Sequence, residues 1–178
     1  MKKLVAIGIV FLLIINFNNS SFNKYIEEGK QAIINEEFIK AKDLFKKAVD
    51  KKSDDKEARA LYKQSEILIE VINLKEEESF QEAADLCQNI NNTDSEDDII
   101  KEVAEKIKNE CNNYLNDSKE YENDLNIRIN EGKTLMNSGN YSRAKDIFNK
   151  IIKEIENTDV YYLQLDEVKT YLNICENR

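Results

Sequence analysis

Two short segments of the chain contain residues of the types that bind phosphate or metal ions. The segment Gly-Lys-Thr at residues 132–134 matches the end of a phosphate-binding loop, but that motif requires another glycine five residues earlier, where Ile127 stands. The acidic run at residues 94–98 matches part of a calcium loop, but it lacks the central glycine and the distal glutamate. These patterns predict no nucleotide site and no metal site, and we expect no cofactor.

Residues suited to catalysis are missing from the sequence or poorly placed in it. Without a histidine, the chain cannot form a Ser-His-Asp triad, a Cys-His pair or a His-ligated metal site. The three glutamates at residues 76–78 are adjacent on a predicted helix end, so they point in different directions and do not form a general acid–base pair. We therefore expect no enzymatic activity.

The three cysteines, Cys87, Cys111 and Cys175, are odd in number and include no C-x-x-C pair. A disulfide framework or a thiolate metal site is therefore unsupported. Each cysteine lies on an apolar helical stripe, which predicts a small buried hydrophobic side chain. A single disulfide in an oxidising compartment stays open as an alternative.

The composition of the 178 residues predicts a folded, helical protein. Hydrophobic residues make up 41% and charged residues 34% of the chain, which excludes both a disordered chain and a membrane-embedded bundle. There is no proline and there are only four glycines, whereas sheet proteins need turn residues at close intervals. Because 35 acidic residues against 26 basic ones give a net charge of −9, we expect no nucleic-acid partner.

Residues 1–22 are predicted to be a membrane anchor or a signal peptide. Lys2 and Lys3 precede an apolar run at residues 4–15, and no further charge appears until Lys24. Residues 16–21 are a poor cleavage site, so an uncleaved anchor in the cell membrane is favoured over a cleaved signal peptide and secretion. A buried first helix is a third alternative. The positive start would remain in the cytoplasm and place the rest of the chain outside it.

A pattern of aromatic, alanine and glycine residues recurs along the chain. Residues 26–30 recur loosely at 129–133, and residues 38–45 recur at 141–148. Both matches have the same offset of 103 residues, which also separates Gly29 from Gly132. A weaker copy lies at residues 80–87. The positions that define the repeat are Tyr25, Gly29, Phe38, Ala41, Phe45, Ala48, Phe80, Ala83, Gly132, Gly139, Tyr141, Ala144 and Phe148.

The repeat predicts helical hairpins that stack. Glycine lets two helix backbones approach closely, and the aromatic and alanine positions lie one helical turn apart on the same face. One such hairpin cannot bury its own apolar face, so copies must pack together. This pattern resembles the tetratricopeptide repeat (TPR) family, although the proline that usually closes a repeat is missing. The resemblance implies an all-α array of antiparallel helical hairpins, with units at about 22–55, 64–92 and 125–156.

The apolar spacing predicts seven helices after the amino-terminal segment. We expect the first helix at about 24–35 and the second at 38–51. The third, at about 54–77, is predicted to begin with a capping box of Asp54 and Glu57. The fourth is predicted to begin with a cap of Ser79 and Glu82. A single helical phase from Ile100 to Met136 favours one long central helix, with a bend near residues 116–118 as the alternative. A helix at 141–156 follows, and a capping helix at 159–176 closes the domain of residues 23–178.

The family resemblance also implies a binding groove. In TPR proteins the first helices of successive hairpins line a concave groove that holds peptides or partner proteins. Lys30 and Lys133 occupy equivalent positions, so both ammonium groups could face a carboxylate or an acidic segment, although plain solvation of the two lysines is favoured. The groove residues implied by the resemblance are Asn23, Ile26, Lys30, Ile33, Ile34, Asn126, Ile129, Lys133, Met136 and Asn137.

The resulting hypothesis is a membrane-tethered or exported TPR-like scaffold that binds a protein or peptide and catalyses nothing. One alternative is a structural spacer or an oligomerising protein that uses the long central helix as its seam, although Tyr114, Ser118 and Tyr121 are unlike the Leu and Ile of such seams. Another is a cytoplasmic TPR adaptor, if the first residues are not an export signal. The oligomeric state stays open.

Overall fold

The computed structural model describes residues 20–178, which form helices joined by short connections. Almost all of the predicted anchor at residues 1–22 lies outside this described part. No strand occurs among residues 20–178, which confirms the predicted all-α class. In this range, no helix has the length and apolar character needed to cross a bilayer. The helices are α1 (residues 20–34), α2 (Phe38–Lys51), α3 (Lys56–Glu76), α4 (Phe80–Asn91), α5 (Ile99–Asn137), α6 (Tyr141–Ile155) and α7 (Tyr162–Glu176).

The predicted helix caps are mostly wrong. The side chain that caps α3 is that of Asp55, which accepts a hydrogen bond of 2.9 Å from the Ala58 N–H, and not that of Asp54. Ser79 precedes α4 but makes no side-chain hydrogen bond to the helix. The last helix begins at Tyr162 rather than at residue 159, and its N-cap position, Tyr161, also makes no side-chain bond. Glu57, the second residue of the predicted capping box, instead accepts hydrogen bonds from the loop at residues 95–97, which sequence spacing does not reveal.

Three of the helix connections have the same backbone geometry. Glu36, Glu78 and Gly139 each have a positive φ, of 59°, 59° and 80° respectively, and each stands two residues before an aromatic residue that opens the next helix. In each turn the following N–H donates to a carbonyl five residues back, which is the Schellman way of ending a helix. These bonds run from Glu37 to Ala32 (2.8 Å), from Ser79 to Leu74 (2.9 Å) and from Asn140 to Leu135 (2.9 Å).

The described residues form two compact units, each with its own core. Unit 1 ends at Leu115 and unit 2 comprises Asn116–Arg178, so the boundary falls inside α5. In unit 1, α3 packs between α2 and α4, and in unit 2, α7 packs against α6. The buried side chains of unit 1 include Ile33, Ala41, Phe45, Leu61, Leu68, Val71, Ala83, Cys87, Ile90 and Ile100. Those of unit 2 are Leu125, Ile129, Ala144, Phe148, Ile151, Ile155, Val168 and Cys175.

A glycine facing a phenylalanine ring joins the two helices of a hairpin in each unit. A methyl group placed on Gly29 would lie 2.5 Å from Cε1 of Phe45, and one on Gly132 would collide with Phe148 in the same way. Both rings are fully buried. The glycine therefore makes room for an aromatic ring of its own hairpin, and the Phe148 ring also stacks on Tyr171 of α7, with 5.7 Å between the ring centroids.

Candidate functional site

The residues expected to line the TPR-type groove differ widely in their accessibility. Ile33 and Ile129 are buried in the cores of their units, so they are unable to contact a partner. The half-buried members are Ile26, Lys30, Lys133 and Met136. The exposed members are Asn23, Ile34, Asn126 and Asn137. The groove residues between positions 23 and 34 belong to unit 1, and those between positions 126 and 137 belong to unit 2.

Lys30 is already paired with a carboxylate of this chain. Its Nζ lies 2.6 Å from Oδ2 of Asp97 and 3.7 Å from Glu27. The hydrogen bond to Asp97 raises the pKa of Lys30, against the opposing effect of burial. Burial acts to raise the pKa of Asp97, but the bonds from Lys30 and from the Ile99 N–H outweigh it and the pKa is lowered. An acidic partner segment would therefore have to displace Asp97.

Lys133, at the equivalent position of unit 2, is engaged in a similar way. Its Nζ donates to Oε1 of Glu167 on α7 at 3.1 Å and lies 4.9 Å above the ring of Tyr171. Its interactions with Tyr171 and with Glu167 raise the pKa of Lys133. Both lysines thus connect the first helix of a hairpin to a later element of the chain.

The acidic run at residues 94–98 is part of a hydrogen-bonded loop in unit 1. The Glu57 carboxylate accepts hydrogen bonds from the Ser95 hydroxyl and from the N–H groups of Glu96 and Asp97. Asp97 in turn accepts from the Ile99 N–H at the start of α5. The run therefore caps the start of α5, and its hydrogen bonds to Glu57 of α3 are long-range contacts that the local sequence does not reveal.

An open groove of about 760 Å³ lies between the start of α2 and the second half of α3. We call it the α2–α3 groove. Its apolar lining comes from Phe38, Ile39, Leu44, Ile69 and Ile72, and its polar lining from Glu36, Glu37, Lys40, Asp43, Lys47, Asn73 and Glu76. The side chain of Ile39 is 68% exposed, so it offers apolar surface to a partner without any rearrangement.

The polar residues at the α2–α3 groove carry a net negative charge. Four carboxylates face two ammonium groups there. Glu37 pairs with Lys40 at 2.7 Å. In the part of the chain that the structure describes, Glu36, Asp43 and Glu76 have no ion-pair partner. The groove therefore combines an apolar lining with an acidic surround, a combination that suits an apolar segment flanked by basic residues.

Sequence reasoning did not identify this groove, although the repeat contains a signal for it. Ile39 follows the aromatic residue that opens the second helix of its hairpin. In the other copies this position is polar, with Gln81 in one and Ser142 in the other. An isoleucine at a position that is otherwise polar, and exposed on the surface, indicates a role other than core packing.

The three cysteines are buried, as predicted, and none is paired. Burial raises the pKa of the Cys87 thiol to about 11, and it also raises the pKa of Cys111 and of Cys175. Such thiols are protonated at neutral pH and behave as small apolar side chains. Among residues 20–178 no group of three or more potential metal ligands comes together.

The comparisons with known proteins identify no relative that would assign this surface a role. No protein-family model matches the chain, and neither the curated proteins nor the solved structures contain a significant match.

Proposed function

We propose that this chain is a non-catalytic, TPR-like module that binds a partner protein, and that the α2–α3 groove is its binding site. The observation that carries the proposal is the exposed Ile39 at the edge of an open apolar groove of about 760 Å³. Concave apolar surfaces with a few charged groups around them are the usual sites of recognition in helical proteins.

The TPR-like arrangement has support in the repeated details of the hairpins. Three connections share the same Schellman turn, and two hairpins share the same glycine–phenylalanine contact. Repetition of both features is what stacked copies of one hairpin require. A solenoid that carries a binding groove is the architecture that this repetition favours.

The partner segment has a defined chemistry in this proposal. One or two large apolar side chains contact Ile39, Ile69 and Ile72, because these residues contribute aliphatic surface to the lining of the groove. A lysine or arginine beside them pairs with Glu36 or Glu76, which have no salt bridge within the described residues. The apolar contact supplies most of the affinity, and the charges determine the orientation of the segment.

The location of the module follows from the amino-terminal sequence. We propose that residues 1–22 tether the helical domain to the cell membrane and place it outside the cytoplasm, with secretion after cleavage as the alternative. Fractionation combined with protease accessibility tests this part of the proposal. Recovery of the intact chain only from the cytosol would contradict it and would favour a cytoplasmic adaptor.

The binding site is tested by photocrosslinking with a matched control. A photoreactive residue at position 39 is compared with one at position 142, the equivalent exposed position of unit 2. We expect a defined adduct from position 39 in the membrane fraction, lost when Glu36 and Glu76 are both changed to lysine, and no adduct from position 142. Equal adducts from both positions, or none from position 39, would contradict the assignment of the groove.

A self-associating seam on α5 has less support. Most of the apolar residues that would form such a seam, including Ile107, Cys111, Leu125 and Ile129, are buried inside their own units. A coiled-coil seam needs these side chains free for a second helix. Sedimentation of the helical domain decides between the two functions, because the seam requires a dimer.

A further inference from the structure

Helix α7 of unit 2 occupies the position that α3 has in unit 1. The offset of 103 residues that relates Gly29 to Gly132 also relates Ser65 of α3 to Val168 of α7. Both of these side chains are buried. Helix α3 packs on α2 in unit 1, and α7 packs on α6 in unit 2. The inner faces of the two helices are therefore equivalent.

The opposite faces of these helices differ in what covers them. On α3, Ala60 is 7% and Val71 is 0% exposed, because α4 packs against this side. The residues at the same positions of α7 are Leu163, which is 65% exposed, and Ile174, which is 41% exposed. We call this side of α7, from Leu163 to Ile174, the α7 outer face. The two side chains that define this face are therefore accessible to solvent.

Further apolar surface adjoins the α7 outer face. The side chains of Val160 and Tyr162, just before and at the start of the helix, are each more than half exposed. A shallow pocket of about 430 Å³ is lined by Tyr162, Leu163 and Leu165, together with the charged side chains of Asp166 and Lys169. An apolar patch of this kind at the end of a helical stack is typical of an interaction surface, because a terminal helix normally has a polar outer side.

We propose that the α7 outer face binds an amphipathic helix of a partner protein, in the position that α4 takes on α3. The contact repeats, on α7, the packing by which α3 receives α4 in unit 1. There, the small side chains Ala83, Ala84 and Cys87 of α4 are buried. Small residues on the partner helix fit the large Leu163 and Ile174, whereas a second α7 outer face would bring large side chains against large ones.

One polar position on α7 indicates a further residue that the partner helix should carry. In unit 1, the Gln64 amide of α3 donates to the Ile90 carbonyl of α4 at 3.3 Å. The equivalent residue of α7 is Glu167, whose ionised carboxylate only accepts hydrogen bonds. Its Oε1 accepts from Lys133, and no described residue bonds to its second oxygen. The partner helix therefore carries a lysine or arginine at this place.

A peptide based on α4 tests the proposal. The probe is a fluorescent peptide with the sequence of residues 79–92, with Cys87→Ala to prevent oxidation and Asn91→Lys to provide the donor. A second peptide lacks the lysine. The receptor is the chain of residues 1–178, and binding is followed by fluorescence anisotropy. We expect the lysine peptide to bind at least tenfold more tightly than the peptide without it.

Variants of the receptor locate the binding site. Leu163→Asp and Ile174→Asp are expected to weaken binding at least tenfold each, whereas Ile127→Asp, an exposed isoleucine of α5 in the same unit, leaves it unchanged. Circular dichroism checks that the variants fold. Absence of binding, or binding that the two α7 variants do not weaken, would overturn the proposal. So would a dimer in sedimentation that Leu163→Asp dissociates, because a second copy would then be the occupant.

The outcome is independent of the α2–α3 groove. All three receptor variants belong to unit 2, whereas Ile39, Glu36 and Glu76, on which the test of the groove depends, belong to unit 1. Failure of the peptide experiment therefore leaves the proposed binding function untouched, and the reverse also holds.

Discussion

Two hairpins of the molecule share a buried contact but differ in their surface residues. One is formed by α1 and α2, and the other by the end of α5 with α6. In both, a glycine of the first helix faces a buried phenylalanine ring of the second. Around this contact, a buried alanine (Ala41 or Ala144) and a Schellman turn are kept, whereas Ile39 of unit 1 is replaced by Ser142 in unit 2. Core geometry is thus shared between the copies, and binding surfaces are not.

The electrostatic contacts of the two hairpins also differ. In unit 2, Arg128 of α5 donates to both oxygens of Glu154 of α6, at 3.1 and 2.6 Å, and Tyr121 donates to Glu154 as well. The positions in unit 1 that correspond to Arg128 and Glu154 hold Tyr25 and Lys51, which are unable to form this ion pair. The same hairpin therefore forms with or without an ion pair at this edge, as expected for an exposed pair that contributes little to stability.

Removal of the two buried phenylalanine rings is the most direct test of whether the two hairpins are equivalent. Phe45→Ala and Phe148→Ala are each expected to lower the free energy of unfolding by about 3–5 kcal/mol, because each leaves a cavity against a glycine that has no side chain to fill it. Urea unfolding followed by circular dichroism measures the loss. Ile127→Ala, at an exposed position, serves as the control. A loss below about 1 kcal/mol for either ring would show that the two contacts are not equivalent.

The residues with positive φ in the two turns provide a second test of this equivalence, with a smaller expected effect. Glu36 has the positive φ that Gly139 has in unit 2, so Glu36→Gly is expected to raise the free energy of unfolding by about 0.5–1 kcal/mol. Gly139→Glu is expected to lower it by about 1 kcal/mol, because an L side chain is strained there. Thermal unfolding of both variants tests the pair. Glu37→Gly, at a residue with a φ of −87°, is the control and should bring no gain.

The smallest expected effect is the pH dependence of the unit 2 ion pair. The bonds from Arg128 and from Tyr121 lower the pKa of Glu154 below its ordinary value of 4.5. The ionised carboxylate therefore stabilises the fold above pH 4.5, and the stabilisation is lost as the pH falls through the lower, folded-state pKa. Because these groups are partly exposed, the effect is modest.

Substitution of Glu154 isolates this contribution. The loss of stability between pH 5 and pH 3, measured by thermal unfolding, is expected to be smaller in Glu154→Gln than in the unchanged chain. Glu156→Gln is the control, since Glu156 has no salt bridge among the residues described. An identical pH profile for Glu154→Gln and the unchanged chain would contradict the prediction.

Much of the fold was accessible from the sequence because it depends on local properties. The absence of proline and the scarcity of glycine predicted helices, and the recurrence of Gly29 with Phe45 as Gly132 with Phe148 predicted equivalent hairpins. The long helix α5 followed from an apolar phase that continues from Ile100 to Met136. Periodicity and turn composition act over a few residues, so they can be read along the chain.

Features that depend on distant neighbours were decided only by the tertiary structure. The side chains of Lys30 and Lys133 looked free to bind a ligand, but Asp97 and Glu167 reach them from later parts of the chain. Likewise, nothing along the sequence distinguishes the covered side of α3 from the open side of α7. Apolar periodicity determines which side chains avoid water, but which other helix covers them depends on packing between residues far apart in the chain.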